Sequence, residues 1–333
     1  MTTTLHHPSE SLRASAQRRG LLTAAARKYR SLFAIDLRQA RFTARGFAAG
    51  SEPLRDRLER IGETFLFGFN HALIKDEVVA LQCAIDSIEP DQRGFAVEGA
   101  AMGMAIADAL MLGGCRLDAW LRRNESAYTY LAHVGAGWAL GRAPWRRTAI
   151  LRSCDAIHGW LIFDGLGFHD TYFMSAKVLR GWRRRTRSYA ARVYDQGAGR
   201  ALWFVVGGEI DCAIAAIARF DRARQPDLWS GLGLAVAYAG GASARALARA
   251  LAAAGASRAS LAQGAAFAAE AHARANHIPA YTREAVYLLT GRDAVEVAEL
   301  VRALRARLPA AVDGDEPAYE QWRRHVQRVL VPS

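Results

Sequence analysis

Lysine is almost absent from this chain. Lys28, Lys75 and Lys177 are the only lysines among 44 basic residues, so the formal charge of +12 is carried by arginine. A composition this rich in arginine and alanine follows from GC-rich coding, and the high charge alone does not point to nucleic acid; no nucleic-acid partner is expected. Cysteine is also scarce. Cys83, Cys115, Cys154 and Cys212 lie 32, 39 and 58 residues apart, with no CxxC pair and no close Cys/His group. That spacing excludes a zinc ribbon and argues for reduced thiols in a cytoplasmic protein rather than a disulfide framework. No apolar run reaches 18 residues, so no spanning helix is expected. Arg18-Arg19 before Leu21-Leu22 resembles an export signal, but Arg27, Lys28 and Arg30 cut its apolar stretch short. Missing too are a P-loop, a dinucleotide glycine fingerprint in strand–helix context, a nucleophile elbow, an HExxH pair and an Asp-rich diphosphate motif. No cofactor and no metal ion is expected from the spacing.

What is present is apolar and helical. Half of the 333 residues are hydrophobic, enough for a large buried core. Residues 1–45 form a basic tail and lead-in; residues 1–60 carry 12 Lys/Arg against 5 Asp/Glu. Residues 46–308 read as helix after helix, with Ala-rich amphipathic stretches such as Ser243–Ala254 and Ala294–Leu308. Two-residue alternation is rare; Ala201–Val206 has strand-like composition inside a helical context. Residues 309–333 are a Pro/Gly/Asp-rich linker and a last amphipathic helix near Tyr319–Leu330. The expected fold class is all-α.

A glycine-anchored pattern recurs through the body. The segments GFNHA, GAAMG, GAGWA, GLGFH, GAGRA, GLGLA and GAAFA begin at Gly68, Gly99, Gly135, Gly165, Gly197, Gly231 and Gly264, at intervals of 31, 36, 30, 32, 34 and 33 residues. That is the length of a helix pair with two short connections, the unit of an α-solenoid or a closed α/α ring. Position +2 is Gly or Ala in six of seven units, and so is +4, while +3 is usually large: Met102, Trp138, Phe168, Leu234, Phe267. Small residues let a neighbouring backbone approach closely, and the large residue supplies packing volume. Glu98, Asp164, Gln196, Ser230 and Gln263 stand just before their glycines. Helices stacked in register would gather them on one rim or cavity wall.

Departures from the pattern mark candidate site residues. His169 takes a +4 position that is small in every other unit; Asn70 and His71 replace the small and large residues of theirs; Arg200 replaces an apolar one. Asp164, His169 and Asp170 make the densest polar group in apolar surroundings, and an imidazole beside carboxylates moves protons near neutral pH. Asp155 and His158, three residues apart, could extend it. The competing role for His169 is a hydrogen-bonded interior residue, with Asp164 as a helix cap. Trp138, Phe168, Tyr172, Trp203, Phe204, Trp229, Tyr238 and Phe267 recur with the pattern, as core packing or as the walls of a cavity for a long apolar chain. Two arginine groups surround tryptophans: Arg142, Arg146 and Arg147 near Trp145, and Arg180, Arg183, Arg184, Arg185 and Arg187 near Trp182. The second suits peripheral contact with an anionic membrane face or an acidic partner.

The stretches Gly135–Leu140 (GAGWAL), Asp164–Tyr172 (DGLGFHDTY), Asp195–Phe204 (DQGAGRALWF), Asp227–Gly241 (DLWSGLGLAVAYAGG) and Gln263–Ala269 (QGAAFAA) resemble the UnbL-type family, domain of unknown function 1702. The likeness runs from about residue 45 to residue 305. The resemblance implies bacterial natural-product biosynthesis beside an enediyne polyketide synthase, with companion proteins that include a membrane redox protein. It carries no catalytic residue. Together these features lead to the expectation of a protein that binds or modifies a linear apolar polyene. Asn70, His71, Trp138, Phe168, Arg200, Trp203, Trp229 and Phe267 would form the binding residues, and His169 with Asp164 or Asp170 the proton carriers. The alternative is a non-catalytic scaffold docking proteins of the same pathway; a third class is an arginine-driven adaptor on a membrane surface or on nucleic acid.

Overall fold

A computed structural model describes residues 24–75, 77–111, 114–184, 188–308 and 316–331, and every regular element among them is helical. Seven long helices build the interior: α1 (Glu52–Ile74), α2 (Pro90–Leu110), α3 (Thr129–Arg142), α4 (Leu161–Phe173), α5 (Ser188–Val205), α6 (Gln225–Tyr238) and α7 (Arg258–Arg274). They are followed by α8 (Ala294–Ala306) and α9 (Ala318–Leu330). Shorter amphipathic helices, among them Val78–Asp86, Arg116–Arg123, Ile210–Ala218 and Ala244–Ala254, lie between successive interior helices. The strand-like Ala201–Val206 lies almost entirely within α5, where tertiary packing overrides its β-branched composition.

α2 to α7 are buried almost all round, whereas α1 keeps an exposed face with Asp56 and Arg60. Every residue from Leu161 to Tyr172 of α4 and from Ser260 to His272 of α7 is buried, as befits helices without a polar face. They pack in chain order, α1 on α2 through to α6 on α7. The glycines set the register. A Cβ at Gly135, Gly165, Gly197, Gly231 or Gly264 would fall on the carbonyl oxygen of Glu98, Val134, Asp164, Gln196 or Ser230 respectively. Each of these is the residue just before the preceding helix's own anchor glycine. The +2 glycines Gly137, Gly167, Gly199 and Gly233 face the other way, against the carbonyls of Ile162, Tyr194, Leu228 and Leu261 on the following helix. One glycine thus admits the helix before and the next admits the helix after, and the helix propensity they sacrifice is offset by close backbone packing.

The first helix also meets the sixth. Arg57 on α1 donates Nε–H to the Ala239 carbonyl at 2.6 Å, and the Phe95 and Tyr238 rings of α2 and α6 meet edge-on at 5.2 Å. α9 is part of the same core. Trp322 donates its indole N–H to the Val301 carbonyl at 2.9 Å, and fully buried Arg323 binds Asp227 of α6 at 2.8 Å. The lead-in folds onto the opposite end, where Phe47 packs against Tyr172 at 4.9 Å and the Arg45 guanidinium lies 4.5 Å from the Phe173 ring.

Candidate functional site: two apolar cavities joined by a buried charge bridge

Two cavities lie inside the helical array. The first, about 750 Å³ counting the space that opens toward solvent, is walled by α1 to α6 and by Ile35, Gln39 and Ala40 of the lead-in. Phe65, Phe95, Met102, Trp138, Phe168, Tyr172, Phe204 and Tyr238 are among its lining residues, and Glu98 and Arg200 are the charged residues among the described lining. The second, about 510 Å³ on the same measure, is walled by α3 to α9, including Tyr130, Leu161, Phe267, Tyr319 and Trp322. Arg200, Leu234 and Tyr238 line both cavities and separate them.

Charge crosses this partition. Arg200 Nη1 binds the Asp164 carboxylate, which faces the second cavity, and its Nη2 stands 3.8 Å from Glu98 Oε2, which faces the first. The guanidinium also lies 5.1 Å from the Phe168 ring. Asp164 accepts a second bond from Gln196 Nε2 at 2.9 Å, and Gln196 reaches the Tyr319 hydroxyl. Glu98 accepts the indole N–H of Trp138 at 2.9 Å. Burial pushes the Glu98 carboxyl up to about 7, with Arg200 and Trp138 opposing the rise and Asp164 adding to it. Glu98 is therefore divided between acid and carboxylate at neutral pH, beside a wall of aromatic rings. That is the condition for a general acid or base to work in both directions.

The polar row before the glycines does meet across helices. Gln196 bonds Asp164, and the Ser230 hydroxyl donates to Gln263 Oε1 at 2.9 Å. The trio Asp164, His169 and Asp170 is divided between two surroundings. His169 Nδ1 stands 3.1 Å from Asp170 Oδ1, while Asp170 is gripped by Arg184 through two bonds of 2.8 Å and touched by the Tyr194 hydroxyl. Burial lowers the His169 pKa despite that carboxylate. Burial would raise Asp170, but Arg184 and His169 hold it below the usual range. The His169 ring lies 5.9 Å from that of Trp138, and it lines neither cavity.

Of the expected binding residues, Trp138, Phe168 and Arg200 line the first cavity, and Arg200 and Phe267 line the second. Trp203 is fully buried and donates its indole N–H to the Gly240 carbonyl at 3.1 Å; Trp229 is buried outside both linings. Asn70 spends its amide on both backbone groups of Ile35, at 2.9 and 2.7 Å, and so pins the lead-in against the first cavity. His71 is partly buried against Phe67, 5.7 Å between rings. Two of the clustered arginines turn inward, Arg183 to Asp195 at 2.8 Å and Arg184 to Asp170. Arg180 is exposed; Arg185 and Arg187 lie outside the described residues. No described helix is long and apolar enough to cross a membrane.

The sequence had marked Glu98 only as a member of the polar row. Its signal was that it and Asp164 alone in that row are ionisable. Among the described residues, His133, Asp155 and His158 have the composition and spacing of metal ligands. The four cysteines are free, with Cys154 half-buried and the others exposed.

No curated protein and no solved structure matches this chain. One family model does, that of a protein of unknown function (DUF1702), over residues 24–330. With nearly the whole chain spanned by that match, this protein belongs to the DUF1702 family.

Proposed function

We propose that this protein is a cytoplasmic helical-repeat protein of enediyne-type polyketide biosynthesis that holds a linear apolar polyene in its interior and moves a proton on it. Its units are helix pairs of about 33 residues, arranged as a solenoid or a closed α/α ring whose inner helices enclose the ligand. The observation that carries this reading is an aromatic-walled cavity in which, among the described residues, Glu98 and Arg200 are the only charged groups. Ligand sites of this kind combine an apolar lining with few polar groups, and a conjugated chain packs well against aromatic faces. Protonated Glu98 donates to a polyene carbon, whose π pair forms the C–H bond and leaves an allylic cation; the Glu98 carboxylate, stabilised by Arg200 and the Trp138 N–H, then takes a proton from another carbon of the chain, whose C–H pair restores a π bond. The resemblance of the GAGWAL, DGLGFHDTY and DQGAGRALWF stretches supports the pathway.

The first test is organic extraction of the protein co-expressed with its neighbouring polyketide synthase, read by ultraviolet–visible absorbance and mass spectrometry. A stoichiometric polyene is expected in wild-type protein and is lost from Ala235→Phe, which fills the first cavity. An empty wild-type extract, with polyene confirmed in the cells, transfers the reading to a scaffold for companion biosynthetic proteins, including the membrane redox protein. That second reading is favoured by Trp145, which is 70% exposed and flanked by Arg146 and Arg147.

A further inference from the structure

We propose that His133, Asp155 and His158 bind a first-row transition-metal dication. The inference is independent of the polyene reading. His133 projects from α3; Asp155 and His158 come from the turn between the helix Arg147–Arg152 and α4. One ligand atom from each residue lies within 4.8 Å of the others.

The hydrogen bonding leaves metal-binding lone pairs on His133 Nε2 and Asp155 Oδ2. His133 Nδ1 is 2.7 Å from the Thr129 carbonyl. A carbonyl only accepts, so Nδ1 carries the proton and Nε2 keeps its lone pair. Metal-ligating histidines are oriented by such a bond from their other ring nitrogen. That Nε2 is buried, has no hydrogen-bond partner, and stands 3.9 Å from Asp155 Oδ2. Buried polar atoms are rarely left in this state. Asp155 is held in place through Oδ1, which accepts the backbone N–H groups of Ile157 and His158 at 2.8 and 2.7 Å. Its Oδ2 is left for the site, with His158 Nδ1 at 2.6 Å. A cation at about 2.0–2.1 Å from each ligand sets its tetrahedral ligand atoms roughly 3.3 Å apart. The two separations from Oδ2 bracket that value, so small side-chain shifts complete the triangle. Coordination through His158 Nδ1 moves the ring proton to Nε2, so the imidazole stays neutral and the freed Nδ1 lone pair takes the cation.

The donor set also selects the ion. Two imidazoles and one carboxylate suit Zn²⁺, Fe²⁺ or Co²⁺, whereas Mg²⁺ and Ca²⁺ prefer oxygen. Arg274 and Arg305 add positive charge near His158, which further penalises ions held by charge alone. The two histidines are buried, but the Asp155 side chain is 49% exposed and gives the ion its way in. Coordination positions beyond the three protein ligands open on that side. The His158 ring is 5.2 Å from that of Tyr130, which lines the second cavity, so the ion sits one side chain behind that cavity wall.

The test uses the full chain with His6→Ala and His7→Ala, so that the N-terminal histidine pair contributes nothing. After chelator treatment, Zn²⁺ is titrated by calorimetry and Co²⁺ by its visible d–d absorption. One equivalent is expected, with a rise in melting temperature. Asp155→Asn and His133→Gln should each weaken binding by about 100-fold or more, while His277→Ala leaves it unchanged. Asp155 is exposed, so its variant keeps the test decisive if a core histidine variant fails to fold. Absence of binding in the parent chain, or equal affinity in the parent and the Asp155→Asn variant, overturns the proposal.

Discussion

Arg200 on α5 joins two carboxylates that belong to different cavities: it binds Asp164 of α4 through Nη1 and approaches Glu98 of α2 to 3.8 Å through Nη2. One cation faces two anions, and all three groups are buried. Burial raises the Glu98 carboxyl to about 7.

That value fixes a pH dependence. Glu98 titrates near its ordinary 4.5 in the unfolded chain and near 7 in the folded protein, so between these values the folded state binds more protons. The stability it contributes is complete below pH 4.5 and is lost as pH rises through 7, an effect on the order of 3 kcal/mol. In Glu98→Gln this slope disappears. Urea denaturation of both proteins from pH 4.5 to 8 measures it as a difference, which cancels the other titrating groups. Parallel curves would refute the assignment. Under the proposed function the same variant loses polyene turnover, and wild-type turnover falls above about pH 7 as the acid form is depleted.

Trp138→Phe provides a finer reading of the same group. The indole N–H stabilises the Glu98 carboxylate from 2.9 Å, so removing it should move the Glu98 titration upward from 7, by about one unit or less. Carboxyl ¹³C NMR of the two proteins reports the shift directly. An unchanged or lower midpoint would mean that burial and Arg200 alone set the value.

Much of this architecture is written in the sequence because close packing constrains residue size. Gly135, Gly165, Gly197, Gly231 and Gly264 are each pressed against a backbone carbonyl, and no larger side chain fits there. The polar residues before them follow the same register, so Gln196 meets Asp164 and Ser230 meets Gln263. The partners of the charged residues were not legible. Glu98 and Arg200 belong to interior helices separated by two other interior helices, and no local spacing encodes which helices turn toward one another. Within α4, Asp164 and His169 are five residues apart, about 140° around the helix. Proximity in sequence therefore sends one to Arg200 and the other to Asp170. The arginine run after Trp182 was open to a similar misjudgement. Its charge pattern suits a surface, yet Asp195 and Asp170 draw Arg183 and Arg184 inward.

The glycine contacts make a prediction opposite in sign to helix propensity. At an exposed helical position Gly→Ala stabilises by about 1 kcal/mol. At Gly231 the new methyl would fall on the Gln196 carbonyl, with the Arg200 amide nitrogen 2.7 Å away, and both atoms belong to helix backbone. Gly231→Ala should therefore destabilise, by about 2–3 kcal/mol, because α5 and α6 must separate. Chemical denaturation decides it, and a gain in stability would show that the helices have room to spare.

Arg323 carries the last prediction, because it tests whether α9 belongs to the core or merely rests on it. Its side chain is fully buried, with Nη2 on Asp227 at 2.8 Å, Nη1 toward Glu320 at 3.3 Å and Nε toward Gln263 at 3.3 Å. The same two carboxylates also bind Arg192 of α5, at 3.0 Å for Asp227 and 2.6 Å for Glu320. Arg323→Ala leaves two buried anions with only the partly exposed Arg192 on both and Arg324 on Glu320, at a cost of about 3–5 kcal/mol. Arg323→Met keeps the volume and still breaks the ion pairs, so it should lose nearly as much. If Met restores stability to the wild-type level, packing rather than charge secures α9. The second measurement is ligand retention in both variants. Tyr319 and Trp322 of α9 line the second cavity, so a loosened α9 should release whatever occupies it while the first cavity keeps its contents.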